Sequence, residues 1–293
     1  MKVLCICENN GLADKYFVKY LKKTNLDVSV ATETIFPLIQ NYDFAIFFEP
    51  GKPNMNRLAS YLTFLPKKTK KIFFAQDPHL NLFLHQQIIS QLGVDAVITT
   101  QKKSVEEFKK MGLPVLYCTW GYDPEVNRSL KLRRYYDIGM AGTVNPYLHP
   151  IRCSLLKKLE DNFELFPIAE CKDGDVSKVY SSSKIGFNFS IDDDINFRIF
   201  EVISSGALLI TDDKPMKNGL GELFEPDNEI IVYKADDYED LKNKVEFYLN
   251  NRKKRSEIIR NAKKRIKQYS YKNRAKEIIK FLKRLKKEGG VKN

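Results

Sequence analysis

The chain has 293 residues, which at roughly 100–200 residues per domain points to two domains. Hydrophobic residues make up 43%, with 19 Phe and 15 Tyr; that is enough apolar surface to offset the entropy of ordering, so disorder is excluded for most of the chain. The net charge of +12 is held unevenly, +4 over residues 1–130, −7 over 131–251 and +15 over 252–293, which argues against a body lined with positive charge for nucleic acid and leaves any anionic contact to the C-terminal region.

In chain order, short apolar runs at Lys2 to Cys7, Asp27 to Thr32, Phe44 to Glu49, Lys71 to Ala75 and Ala96 to Thr100 read as strands. A helix is expected at Leu12 to Lys23, and helical patterns fill the other gaps. The runs are continuous rather than alternating, as in strands covered by helices on both faces. Alternating strands and helices predict a parallel, doubly wound sheet.

A second set begins near Tyr136. Strands are expected at Asp137 to Ala141, Phe163 to Ile168, Lys184 to Phe189, Ala207 to Thr211 and Glu229 to Tyr233, with helices at Ile151 to Leu159 and Asn196 to Ser205. Gly121-Tyr122-Asp123-Pro124 and the charged run ending at Arg134 read as the linker. From Asp236 the chain is helical, and an apolar stripe from Ile258 to Leu285 faces away from Lys and Arg. The expected division is 1–130, 131–268 and a basic C-terminal helix, 269–293.

No apolar run reaches the roughly 18–20 residues that span a bilayer, and Val3 to Cys7 is shorter than the roughly 7–15-residue core of a signal peptide. A cytoplasmic protein is expected. The cysteines at 5, 7, 118, 153 and 171 form neither a C-x-x-C pair nor a group with histidine, so reduced, mostly buried thiols are expected.

Two doubly wound domains offer the carboxyl ends of their strands to a central cleft, the usual ligand edge of open parallel sheets. Arg198 falls in the first turn of the helix expected after Asn196, with Glu201 at i+3 on the same face. A helix N-terminus attracts phosphate, an arginine adds paired donors, and a glutamate accepts from ribose hydroxyls. The plainer reading is a surface Arg198–Glu201 ion pair capped by Asn196.

Ser181 to Ile185, Asn188, Asn196-x-Arg198-x-Phe200-Glu201, Ser205-Gly206-Ala207-Leu208-Leu209, Thr211-Asp212 and Glu222-Leu223-Phe224 together resemble the donor domain of spore-maturation CgeB-like glycosyltransferases. Asp137 to Thr143 with Arg152, and Tyr271-x-x-Arg274-Ala275, extend the match over about residues 115 to 280. The resemblance implies a GT-B fold of two Rossmann-like domains, with C-terminal helices crossing back to the N-terminal one. It also implies a nucleotide-sugar donor, UDP-linked, held by Gly142, Thr143, Arg152, Asn196, Arg198 and Glu201, and transfer to a hydroxyl of a glycan, lipid-linked saccharide or protein. No metal or other cofactor is expected on that basis, the leaving diphosphate being neutralised by arginine and a helix N-terminus.

Asp192-Asp193-Asp194 admits a second reading as a D-x-D metal site in a metal-dependent transferase, although carboxylates just before a helix are also ordinary caps. On the acceptor side, Asp77 and His79 follow a strand end and are the candidate catalytic bases; a plain turn at Asp77-Pro78 is the alternative. Asn9, Asn10 and Gly11 form a candidate acceptor or phosphate loop, and His85 and His149 read as structural. A nucleotide-binding protein without transfer activity would share all these features except the base. The lysines and arginines at 263, 264, 267, 283, 284, 286 and 287 suggest either a solvated face or peripheral contact with an anionic membrane at its inner face. Nucleic acid is not an expected partner.

Overall fold

Each set of apolar runs forms its own parallel sheet in the computed structural model, which describes residues 1–7, 12–32, 41–48, 62–166 and 175–288. Asn9, Asn10 and Gly11 lie outside the described residues. The chain divides into two units: Met1–Thr119 with Tyr271–Asn293, and Trp120–Ser270. The boundaries thus fall earlier than 130 and slightly later than 268.

Among the described residues of the first unit, six strands run β1 (Lys2–Ile6), β2 (Asp27–Ala31), β3 (Phe44–Phe48), β4 (Lys70–Ala75), β5 (Ala96–Thr99) and β6 (Val115–Tyr117). Their order is β2-β1-β3-β4-β5-β6, and every pairing is parallel. All five residues of β3 are buried, as a central strand with both faces covered requires. Helices α1 (Leu12–Lys22), α2 (Leu82–Leu92) and α3 (Ser104–Lys110) accompany the sheet. Ile88, Ile89 and Leu92 of α2 and Phe108 of α3 join Leu4, Phe47, Phe73 and Val97 in one core. Asn81 accepts the Leu84 amide to start α2, and Gly93 ends it at φ +56°.

The second unit has a four-stranded parallel sheet in the order β10-β9-β8-β7. Its strands are β7 (Tyr136–Gly139), β8 (Ser183–Phe187), β9 (Leu208–Asp212) and β10 (Ile231–Tyr233). The strand expected at Phe163 to Ile168 is reduced, among the described residues, to a bridge between Leu165 and Ile138. Helices α4 (Pro150–Glu160), α5 (Asp175–Ser182), α6 (Phe197–Ser205), the one-turn α7 (Leu220–Leu223), α8 (Tyr238–Asn250) and α9 (Arg252–Arg265) complete it. Helix α6 approaches β8 closely because Gly186 has no side chain: a Cβ there would stand 2.4 Å from a methyl of Val202. Arg134 of the expected linker donates to the carbonyls of Tyr180, Ser183 and Gly206, fixing that segment to the ends of α5 and α6.

The apolar stripe beginning at Ile258 does not pack as one piece. Ile258, Ala262, Ile266 and Tyr269 are buried within the second unit, whereas α10 (Tyr271–Glu288) belongs to the first. Tyr271 stacks on Tyr16 at 5.1 Å and meets the edge of Phe17. Lys70 donates to the Leu285 carbonyl at 2.6 Å, and Lys286 pairs with Asp43 at 2.7 Å. Burial alone would raise the Asp43 pKa, but the Lys286 ammonium and the Lys2 amide outweigh it and hold the carboxyl below its usual range.

Candidate functional site

A connected polar network lies past the carboxyl ends of β7, β8 and β9. The strand–loop–helix order brings Ala141 to Thr143, Asn188 to Ser190 and Asp212 together there. Tyr180 Oη accepts the Ala141 amide at 3.0 Å, and the Ala141 carbonyl accepts Arg198 Nε at 2.8 Å. Arg198 Nη1 donates to Asn188 Oδ1 at 2.7 Å, while Asn188 Nδ2 donates to Thr211 Oγ1 and Ser190 Oγ. Gly142 adopts φ +138°, and a Cβ on it would lie 2.5 Å from Arg198 Nη2. The glycine is therefore what lets the loop close over the guanidinium.

Arg152, from α4, is buried beside this loop and donates to the carbonyls of Thr143 at 3.2 Å and Phe189 at 3.3 Å. Its Nε is buried with no hydrogen-bond partner, as is Asn196 Oδ1. Both guanidinium groups thus rest on neutral oxygens. Burial, and then the nearby Arg198 charge, lowers the Arg152 pKa to about 10; His149, at the start of α4, is pushed down by burial, Arg152 and Arg198. Asp212 lies nearby without pairing to either arginine, and it accepts the Ser190 amide at 2.6 Å and the Lys214 amide at 3.2 Å. Burial outweighs these bonds and raises its pKa to about 6. A concavity of about 180 Å³ opens beside the network, lined by His149, Arg152, Phe189, Ser190, Asp192 and Lys214 among others. Lys214 Nζ stands 4.6 Å over the Phe189 ring at its edge.

Asn196 precedes α6 but makes no side-chain cap; its Nδ2 donates to Ser190 Oγ instead, so the capped-helix reading is corrected. Glu201 stands half-exposed one turn after Arg198. The three aspartates lie in a turn that precedes α6. The amide of Asp194 closes a turn onto Ile191, Asp192 has φ +49°, and the Asp193 carbonyl accepts Asn218. Among the described residues no group of three or more His, Cys, Asp or Glu is placed to hold a metal. Asn188 entered the sequence reading only through resemblance, and Ser190 and Lys214 not at all. Their signal is weak, since polar residues after an apolar strand are common loop residues.

In the first unit, Asp77 to Leu80 form a turn after β4 in which the Leu80 amide donates to the Asp77 carbonyl. His79 Nδ1 is buried with no hydrogen-bond partner. Nearby, Gln76 Nε2 donates to the buried Asp14 at 2.5 Å, and Thr100 donates to the Gln76 carbonyl. His85 is buried edge-on against Phe73 at 5.7 Å. Cys5, Cys7, Cys118 and Cys153 are free thiols; burial pushes Cys5 and Cys118 up to about 12, far from reactive thiolates. No described helix is long and apolar enough to cross a membrane.

Residues 161–280 match the family described as glycosyl transferase-like. No curated protein matches the chain. Among solved structures, Anabaena HepE in complex with UDP and glucose is similar at 14% identity and TM-score 0.69, over 97% of this chain and 99% of that one. Sucrose-phosphate synthase from Thermosynechococcus elongatus is similar at 10% identity and TM-score 0.71, again over 97% and 99%. A glycosyltransferase from Rickettsia africae is similar at 11% identity and TM-score 0.70, over 97% and 98%. Residues 161–280 are thus similar to a glycosyl transferase-like domain, and the chain has an α/β fold of the GT-B kind.

Proposed function

We propose that the chain is a metal-independent glycosyltransferase of the CgeB-like kind, moving a sugar from a UDP-linked donor to a hydroxyl of a glycan, a lipid-linked saccharide or a protein. The observation that carries this reading is the arginine pair. Arg152 and Arg198 are held within mutual electrostatic reach on neutral carbonyls, and one buried Arg152 donor has no partner. A diphosphate would supply the balancing charge, and the same groups would stabilise it as a leaving group. The similar HepE structures hold UDP with glucose, and UDP-glucose.

In this reading, residues 142–143 and the start of α6 meet the phosphates, and Glu201 accepts from the ribose hydroxyls. Asp77 or His79 takes the acceptor proton. Calorimetric titration with UDP, with EDTA present, tests the donor site: micromolar binding lost in Arg198→Ala and weakened in Glu201→Ala is expected. Unchanged affinity in both variants overturns the assignment. Turnover of UDP-glucose abolished by EDTA and restored by Mn²⁺ overturns metal independence. Nucleotide binding without transfer or hydrolysis across a panel of nucleotide sugars would leave a binding protein on the same scaffold.

A further inference from the structure

Helix α10 divides its surface sharply. Tyr271, Arg274, Ala275, Ile278, Phe281, Leu282 and Leu285 are buried, whereas Lys272, Lys276, Lys280, Lys283 and Lys287 are exposed. At 3.6 residues per turn these five lysines fall within an arc of about 80° and form a row about 22 Å long. Glu277 and Glu288, the acids of this helix, lie outside that arc. Lys276, Ile279, Lys280, Lys283, Arg284 and Lys287 line a concavity of about 450 Å³. At the margin of the row, Arg284 lies over the Phe281 ring at 5.2 Å and 3.9 Å from Glu288.

Ammonium groups spaced three and four residues apart repel one another and weaken the helix that carries them. Such a row gains stability against a diffuse negative plane. The surrounding unit adds to this, with 24 basic and 12 acidic residues against 25 and 25 in the other.

We propose that the lysine row of α10 is a docking surface for the anionic phospholipid headgroups of a bilayer. The row is straight, made of point-charge ammonium groups, and contains neither aromatic side chains for base stacking nor arginine forks for base edges. These features favour a lipid surface over nucleic acid. Because the apolar face of α10 is already covered within its own unit, the helix lies on the headgroups and does not insert. Of the residues expected from the sequence, Lys283 and Lys287 stand in the row and Arg284 at its margin. Lys263, Lys264 and Lys267 belong to the other unit, Lys263 is half-buried, and Lys286 is engaged by Asp43. The proposal does not depend on the sugar-transfer reading.

Co-sedimentation of the full chain with phosphatidylglycerol-containing and with pure phosphatidylcholine vesicles, at low and moderate salt, tests it. Salt-sensitive binding to the anionic vesicles is expected. The triple variant Lys276→Gln/Lys280→Gln/Lys283→Gln should lose on the order of 100-fold in vesicle affinity. The charge-matched control Lys253→Gln/Lys254→Gln/Lys264→Gln, on exposed residues of the other unit, should retain it. Circular dichroism confirms that each variant folds. Equal binding to both vesicle types, or equal losses in the two triple variants, overturns the proposal. So does tighter, row-dependent binding to duplex DNA than to vesicles.

Discussion

Gly142→Ala is the sharpest perturbation of the candidate donor site, because it adds one carbon where the loop closes on Arg198. The backbone at φ +138° suits glycine, and holding an alanine there costs about 1–3 kcal/mol. The new Cβ would stand 2.5 Å from Arg198 Nη2, against an ordinary contact of roughly 3.5 Å, so the guanidinium must retreat by about 1 Å. Retreat strains its bonds to Ala141 O and Asn188 Oδ1, at 2.8 and 2.7 Å. Losing one bond to a charged, half-exposed group adds about 1.5 kcal/mol, the low end of the usual range. The expected destabilisation is about 3–4 kcal/mol, a large share of the roughly 5–15 kcal/mol of a typical domain. Urea unfolding measures it as a lower midpoint at unchanged slope, and UDP affinity should fall with it. In an Arg198→Ala background only the backbone strain remains, so the penalty should shrink by at least about 1 kcal/mol. A penalty below about 1 kcal/mol in the parent chain, or one equal in both backgrounds, refutes the reasoning.

Gly186→Ala drives a methyl into Val202 and should cost about 1–3 kcal/mol; Val202→Ala, which vacates the space, should recover much of it, and strict additivity would contradict close packing of α6 on β8. Asp212 has a folded pKa raised from 3.8 to about 6, so its ionisation opposes folding: that penalty is absent below pH 3.8, grows through the interval and is complete above pH 6. Relative to Asp212→Asn, the parent should therefore lose up to roughly 3 kcal/mol between pH 4 and pH 7, and parallel stability curves would contradict the assigned shift. Replacing the proposed acceptor base, Asp77→Asn or His79→Ala, should lower turnover by roughly 10²–10⁴-fold with little change in UDP affinity; near-normal turnover in both moves the base elsewhere.

Much of the fold was legible because it is written locally. The runs at Phe44 to Phe48 and Ala96 to Thr99 are apolar without alternation since both faces of their strands are covered, and nine of the ten strands among the described residues fall on expected runs. The short β6 was not anticipated, since three half-buried residues carry little pattern. Arg198 and Gly142 could be singled out as site residues, but not their contact, which closes over 56 residues of chain. The arrangement of the aspartates at 192 to 194 was equally illegible. Their place before a helix suggested a cap or a metal site, and the structure adds a turn at Ile191 to Asp194 that local pattern does not specify, with Asn196 standing directly before α6.

The sequence by itself determined two parallel α/β units, the strand-end loops that carry polar residues, and an amphipathic, basic C-terminal region. Periodicity and composition act over a few residues, so they survive without a partner. Tertiary structure decided where that region is cut. Gly121 lies so close to Tyr269 that a Cβ would stand 2.3 Å from its carbonyl oxygen, and Tyr122 bridges to Ser270, bringing together segments nearly 150 residues apart. The basic helix before Ser270 thereby joins an acidic unit and neutralises it, while α10 carries its lysines to the other, which holds the whole net charge of +12. A 3.6-residue stripe specifies that a face must be buried; which surface buries it depends on contacts the local pattern does not encode.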